Sequence, residues 1–447
     1  MAKVKKAYVC GACGAHSVKW QGQCPDCDAW NTLTPMTMAG SGKERRKGSV
    51  EVASVRQLTT EPEQRYATGF SEFDRVLGGG LVPGSVVLLG GDPGVGKSTL
   101  LQQVAARLPA ELGVCYASGE ESLRQIAERA RRLGLGASNM GLLADTSLDN
   151  ILELASSGAR VLVIDSIQTM VNEDLSSAPG SVAQLRECVG RVVQFAKQRE
   201  IAVFLIGHVT KEGAIAGPRV VEHMVDTVLY FENDPASRFT IVRAVKNRFG
   251  ASSEMGVFAM TEAGFREVRN PSAIFLTGDA ERNPGSIVSV AWEGSRPLLV
   301  EIQSLVADGS GNYPKRIAQG VDQSRLALMV AVMQRHAGIS LANDDVFINV
   351  VGGLRISETA ADLPMMLAIV SSLRDRPCSQ RLVTFGEIGL AGEVRPVRFG
   401  TERLAEAAKQ GYRRAIVPRA NVSKELPKGI EVIGISRINE ALEAGFD

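Results

Sequence analysis

Four cysteines, one glycine-rich loop and one pair of cations carry most of the chemistry open to this chain. In "CGACGAHSVKWQGQCPDC" the thiols of Cys10, Cys13, Cys24 and Cys27 are spaced C-x2-C-x10-C-x2-C. Each C-x2-C turn lets two thiolates point at one centre. Two such turns make a tetrahedral four-sulfur site, the closed geometry of structural zinc. Four free buried thiols, or a redox pair, are the competing readings, and two symmetric pairs favour a ligand set. His16 is left as a non-ligand because four sulfurs suffice. The zinc is expected to hold a ribbon too small to fold alone.

The second set is "SVVLLGGDPGVGKSTLLQQVAARL": an apolar strand, a glycine-rich loop, then an amphipathic helix. Gly91, Gly96, Lys97 and Ser98 satisfy G-x4-G-K-[ST]. Gly91, Asp92, Pro93, Gly94, Val95, Gly96, Lys97, Ser98 and Thr99 therefore form the expected ATP-binding loop. Its backbone N–H groups wrap phosphates, Lys97 reaches the β/γ oxygens, and Ser98 offers a hydroxyl to Mg²⁺ at a helix N-terminus. A second apolar run, "ARVLVIDSIQTM", ends in Asp165, where a carboxylate at a strand end is placed to hold Mg²⁺ through water. In "GVCYASGEESLRQ" two acids open a helix. Either they cap it, or one of them is the base that orients water for hydrolysis, and Glu120, nearer the strand, is the choice. His208 and Thr210 close a fourth apolar run. A phosphate sensor and a satisfied core histidine are both open there.

The third set is "AVKNRFG", which places Lys246 and Arg248 one residue apart, about 150 residues beyond the phosphate loop. Two cations at a strand end are either solvated or placed to meet phosphate. The sequence does not by itself say whose phosphate that would be.

These groups need a scaffold. At 447 residues the chain exceeds one ordinary core, so two or three domains are expected. Apolar residues make up 45% and charged residues 22%, as in globular proteins, and the net charge is only +1. A nucleic-acid surface must then be a local patch. No apolar run is long enough to span a bilayer, and the start has no apolar h-region, so a cytoplasmic protein is expected. Repeated strand–helix units with polar groups at strand ends argue for a doubly wound α/β core. The boundaries expected are a zinc finger over 1–30, a flexible, mildly basic linker over 31–58, an ATPase domain over 59–270, and a further domain over 271–447. Segments 171–184 and 210–223 lie beyond strand ends and read as mobile linkers or binding loops.

With these motifs in hand, "ATGFSEFDRVLGGGLVPGSVVLLGGDPGVGKSTLL", "YASGEESLRQ", "VIDSIQT" and "VKNRFG" behind a four-cysteine finger resemble the bacterial RadA (Sms) family of DNA-repair proteins over essentially the whole chain. The resemblance implies a RecA-like P-loop core and a hexameric, ring-forming DNA-dependent ATPase. It would load on single-stranded and branched DNA and drive branch migration alongside the RecA recombinase. It also implies that Lys246 and Arg248 reach the γ-phosphate held by the next subunit's loop. Such a finger contributes on the order of 10³–10⁵ to hydrolysis in well-described systems. Phe249 could stack on a base.

From about 271 the pattern becomes strand-like, followed by two expected amphipathic helices, "QSRLALMVAVMQRHAG" and "LPMMLAIVSSLRDRP". The order of motifs resembles the α+β proteolytic domain of Lon, whose Ser-Lys dyad needs a hydroxyl beside a desolvated amine. Ala361 falls at the serine and Thr401 at the lysine, with Ser357, Ser371 and Lys409 out of place. An assembly role, with Lys315, Arg316 and Arg325 either on a DNA-facing surface or simply solvated, is expected instead of proteolysis. An ATP-dependent peptidase and a non-hydrolysing recruiting scaffold are the alternatives to a motor.

Overall fold

Runs such as "VVLLG", "VLVID" and "AVFLI" are apolar at every position, which is what a parallel strand covered on both faces demands. In the computed structural model, which describes residues 5–10, 15–38, 64–208, 220–233, 239–277, 283–309, 313–423 and 425–446, these runs are strands with every residue buried. The chain divides into two units, Met1–Glu267 and Val268–Asp447.

The first unit begins with a ribbon of β1 (Lys5–Cys10), β2 (His16–Ser17) and β3 (Leu33–Met38), antiparallel in the order β2-β1-β3. Among the described residues its core is Cys10, Ala15, Cys24 and Leu33, with Tyr8 against them. So few buried side chains cannot offset the entropy of ordering the ribbon without a staple.

The larger sheet of this unit has nine strands among the described residues. They are β4 (Val86–Gly90), β5 (Val114–Ser118), β6 (Gly141–Ala144), β7 (Val161–Asp165), β8 (Ala202–Ile206), β9 (Thr227–Asn233), β10 (Phe239–Asn247), β11 (Met255–Thr261) and β12 (Gly264–Glu267). The order is β12-β11-β10-β9-β4-β8-β7-β5-β6. The six strands from β9 to β6 in this order are parallel, and β9 to β12 pair antiparallel. Alternate residues of the central strands feed two cores. Val87, Leu89, Val163 and Phe204 meet α1 (Ser71–Leu77) and α2 (Lys97–Arg107) through Phe73, Leu100 and Val104. Leu88, Leu162, Ile164 and Leu205 meet the helices that follow β6 and β7 through Leu148, Ile151, Leu185 and Val192. At about 1.5–3 kcal/mol for each large side chain removed from water, this double burial is the main term holding the sheet.

Two glycine-bearing stretches far apart in sequence interlock at one edge. Gly78 ends α1 in the left-handed region, with φ 87°. A Cβ there would lie 2.6 Å from the carbonyl oxygen of Phe249, and one on Gly250 would lie 2.6 Å from the Gly78 Cα. Asn247 fastens the contact, its Nδ2 donating to Val76 O at 3.1 Å and its Oδ1 accepting from Phe249 N at 2.9 Å. The Arg65 guanidinium adds bonds to Gly78 O and, at 2.9 Å, to Phe249 O. The "VLGGG" and "KNRFG" segments are therefore a single structural joint.

Of the two segments flanked as loops, 171–184 is pinned. Buried Gln184 donates to the carbonyls of Asn172, Leu175 and Ser177 and accepts from Asn172 N, so this stretch is a fastened turn and not a linker. Of 210–223, only the part from Val220 onward is described, and it opens a short helix, Val220–Met224.

The second unit is α+β. Strands β13 (Ser286–Glu293), β14 (Arg296–Asp308), β15 (Arg316–Gln319), β16 (Asp344–Val350), β17 (Leu382–Thr384), β20 (Arg414–Pro418) and β21 (Glu431–Ile435) order as β15-β16-β14-β13-β17-β20-β21, and β18 (Glu387–Ile388) pairs with β19 (Val394–Arg395) apart from them. The helix Asp362–Leu373 is buried at every position from Asp362 to Ser371. The sequence expectation of an amphipathic helix fails here, because an element covered all round needs no polar face.

Gly78→Ala is expected to lower the unfolding midpoint of the ATPase unit. The added Cβ combines a left-handed backbone with a backbone clash, together worth roughly 1–3 kcal/mol. Calorimetry measures it, and an unchanged midpoint contradicts the interlock.

Candidate active site and metal centre

Strand β4 ends at Gly90, and the chain turns through the loop into α2 at Lys97. Two glycines are required by close packing. A Cβ on Gly91 would lie 2.9 Å from Phe231 Cβ, and one on Gly96, φ 99°, would lie 2.7 Å from both Met260 and Phe265. Gly94, also at positive φ, would meet nothing within 4 Å. The loop thus rests on β9, β11 and β12 with its crest open, the cradle a polyphosphate needs.

Lys97 is buried, and its Nζ donates to Gly91 O at 2.7 Å and Asp92 O at 2.8 Å. Burial pushes its ammonium below the ordinary lysine value, while Asp165, Asp92 and Glu120 pull it back up. Ser98 and Thr99 sit half-buried in the first turn of the helix. Asp165, at the end of β7, is buried and accepts from the Tyr116 hydroxyl at 2.6 Å. Burial first, and then Asp165, push the Tyr116 phenol well above its ordinary value, so Tyr116 remains a donor that orients the carboxylate. The Ser98 hydroxyl, in the first turn of α2, and the Asp165 carboxylate, at the end of β7, are hard oxygen donors of the kind that hold Mg²⁺, and Lys97 is a cation of the kind that meets ATP phosphates.

The two acids of "GEES" part company. Glu121 is taken by Arg129, at 2.8 and 2.6 Å. Glu120 is half-exposed, accepts from the Ser166 hydroxyl, and lies 3.2 Å from His208 Nε2. Neither acid caps the helix Leu123–Arg132. Ser122 does, in a capping box with Gln125. His208 is likewise not a satisfied core histidine, since its side chain is 30% exposed and reaches Glu120. Thr210 lies outside the described residues. Sequence reasoning did not find Tyr116 or Ser166. Ser166 directly follows Asp165 and so had a local signal, whereas Tyr116 had none beyond its strand.

Lys246 and Arg248 are elsewhere. Lys246 Nζ donates to the carbonyls of Glu222, His223 and Val225 at 2.9, 3.1 and 2.8 Å, closing the C-terminal end of the helix Val220–Met224. Burial, and next the Arg248 charge, lower its ammonium below the lysine value. Arg248 Nη1 lies 3.0 Å from Asp226 Oδ1, with its side chain 52% exposed. Strand register places both far from the chain's own phosphate loop. Asn247 pairs with Thr227, which pairs with Val87 at the beginning of β4, while the loop follows the end of that strand. At about 3.3 Å per residue, the four residues from Val87 to Gly91 at the start of the loop span roughly 13 Å, beyond an arginine's reach.

In the ribbon, the Sγ atoms of Cys10, Cys24 and Cys27 all lie within 4.8 Å of one another, and those of Cys10 and Cys27 are 3.6 Å apart. A tetrahedron with metal–sulfur bonds of about 2.3 Å has edges of about 3.8 Å, so these thiols fit one zinc ion. Cys13, the fourth expected ligand, lies outside the described residues.

In the second unit Ala361 is buried at the start of the helix Asp362–Leu373, and Thr401 is exposed in the first turn of Gly400–Lys409. Buried Ser371 accepts from Gly285 N and donates to Arg376 O, and Lys409 pairs with Glu406. Two cations considered for a DNA-facing surface are committed internally. Arg316 donates to the Lys315, Asp344 and Leu341 carbonyls, and Arg325 forks onto buried Asp362. Lys315 is exposed. Burial pushes the Asp362 carboxyl up despite Arg325.

Three family models match the chain: a rubredoxin metal-binding domain over residues 8–35, an AAA domain over 54–214, and subunit ChlI of Mg-chelatase over 319–421. Curated proteins named DNA repair protein RadA match end to end. The one from Pseudomonas aeruginosa is 54% identical, that from Escherichia coli 52%, and that from Bacillus subtilis 46%, each covering 100% of both chains. A crystal structure of the RadB recombinase aligns with 45% of this chain and 99% of its own, at 20% identity and a TM-score of 0.37. The ATPase and metal-binding domains carry with them ATP, Mg²⁺ and Zn²⁺.

About one zinc per chain is expected in the purified protein, and Cys24→Ser should lower that content and unfold the ribbon. Atomic absorption, with the thiolate-to-metal absorption of the cobalt-substituted form, measures it. Full metal content in the variant would remove Cys24 from the ligand set.

Proposed function

The chain belongs to the family of the DNA repair protein RadA, and from that premise we propose that it is a DNA-dependent ATPase acting in the cytoplasm in recombinational repair. On this reading it assembles head to tail, as a hexameric ring, on single-stranded and branched DNA. There it drives branch migration with the RecA recombinase. The observation that supports this best is the placement of Arg248. It is half-exposed at the start of β4, and the phosphate loop lies beyond the other end of that strand. A contact that brings one end of this strand to the opposite end in a second copy is heterologous, and heterologous contacts that close make rings.

In the mechanism proposed, the loop from Gly91 to Thr99 cradles the phosphates, Lys97 leaves its carbonyl partners for the β/γ oxygens, and Ser98 and Asp165 would hold Mg²⁺, whose charge would offset that of the phosphates. Glu120 orients a water for in-line attack on the γ-phosphorus and takes its proton as the bond to the β,γ-bridging oxygen breaks and ADP leaves. Ser166 and His208 keep the Glu120 carboxylate turned toward that water. Arg248 of the adjacent copy meets the charge spread on the equatorial oxygens, where a bidentate guanidinium is most effective. Lys246 would accompany it, giving up its three carbonyls to do so. The carboxy-terminal domain, with Ala361 and Thr401 where a Ser-Lys enzyme needs its nucleophile and base, serves assembly.

ATP turnover stimulated by single-stranded DNA is expected, and Lys97→Ala should abolish it. Arg248→Ala should slow it by roughly 10³-fold or more. Mixing the two variants should restore part of the activity, because a hybrid contact then holds one intact loop and one intact arginine. Steady-state phosphate release measures all three. DNA-stimulated turnover in Lys97→Ala, or no rescue in assemblies shown to be mixed, would refute the reading.

A further inference from the structure

Arg248 does not hold its own direction. It is fixed by Asp226, a carboxylate whose side chain is 4% exposed. Asp226 Oδ1 takes Arg248 Nη1 at 3.0 Å, and Oδ2 accepts from Val86 N at 3.1 Å. The backbones repeat the pairing: Asp226 N donates to Val86 O at 3.0 Å and Arg248 N to Asp226 O at 3.2 Å. Lys197 Nζ stands 3.9 Å from the same Oδ1. A buried carboxylate is costly unless paired and hydrogen-bonded. Capping the first amide of a strand does not require a charge, since a neutral side-chain oxygen accepts as well. What the charge adds is a fixed seat for a cation.

We infer that Asp226 is the positioning residue of the trans-acting arginine, an inference that rests on the function proposed above. Asp226 occupies one of the five donors of the Arg248 guanidinium, which anchors a half-exposed side chain and, among the described residues, leaves the other donors for a phosphoryl group. Pre-ordering an arginine in this way removes rotamer entropy that would otherwise be lost on contact. Because Asp226 also binds the first amide of β4, it could instead act through its own subunit's phosphate loop. The two routes differ in which side of the contact they damage.

Asp226→Asn retains the volume and an acceptor for Val86 and removes the charge. Turnover is expected to fall roughly 10- to 100-fold, as it does for outer partners of catalytic groups, with KM for ATP and the melting temperature unchanged. Mixed with Lys97→Ala subunits, the variant should regain activity; mixed with Arg248→Ala subunits, it should not. In an Arg248→Ala background the substitution should add nothing, since both act through one group. Asp226→Glu, which keeps the charge, should retain more turnover than the Asn variant and serves in its place should that variant melt early. Rescue by Arg248→Ala but not by Lys97→Ala, or unimpaired turnover, overturns the inference. If Arg248→Ala and Lys97→Ala fail to rescue each other, the trans reading fails. The positioning of Arg248 by Asp226 then still stands or falls on the double variant.

Discussion

Strand β4 sets the geometry on which the rest depends. It is five residues long, buried throughout, and flanked by β8 and β9 in parallel register. Its last residue delivers the phosphate loop, and its first is bonded to Asp226 and so to Arg248. A parallel neighbour cannot slip by one residue without turning its core side chains toward the wrong face. The distance between loop and arginine is therefore fixed by the sheet and cannot be closed by a side-chain rotation. A doubly wound sheet puts its chemistry at the carboxyl ends of its strands; here the opposite end is also furnished.

Around the loop, chemistry is divided among neighbours by burial. Asp165 is buried and tied to a phenol that stays protonated, while Glu120 is half-exposed and supported by a hydroxyl and an imidazole. One carboxylate is thus held still and the other kept where water can reach it. Glu121, adjacent in sequence, is spent on Arg129.

What was legible in the sequence is what is local. The phosphate loop, the cysteine spacing and the apolar strands each occupy a short window, and the structure has a strand and helix where the loop pattern requires them. The choice between Glu120 and Glu121 turned on their distance from the strand, and only Glu120 faces Ser166 and His208. What was not legible depends on register. Tyr116 meets Asp165 because β5 and β7 are adjacent. Arg316 and Arg325 read as surface cations, yet they end on carbonyls and a buried carboxylate that no window of sequence connects to them. Gln184 looked like part of a loose polar stretch and is its anchor. The helix Asp362–Leu373 is present where the sequence places one, but it is covered on every side, so the polar face expected of it is absent.

The separation of loop and arginine along β4 has a consequence for how damage spreads through an assembly. Under the function proposed, each working site draws on two chains. If a fraction f of subunits is sound and they mix at random, the share of sound sites goes as the square of f. A population that has lost a minority of its chains to unfolding or chemical lesion then loses activity faster than it loses protein. On that reading, an inert copy that enters the assembly also disables a site in its neighbour, and activity at first falls about twice as fast as sound protein does.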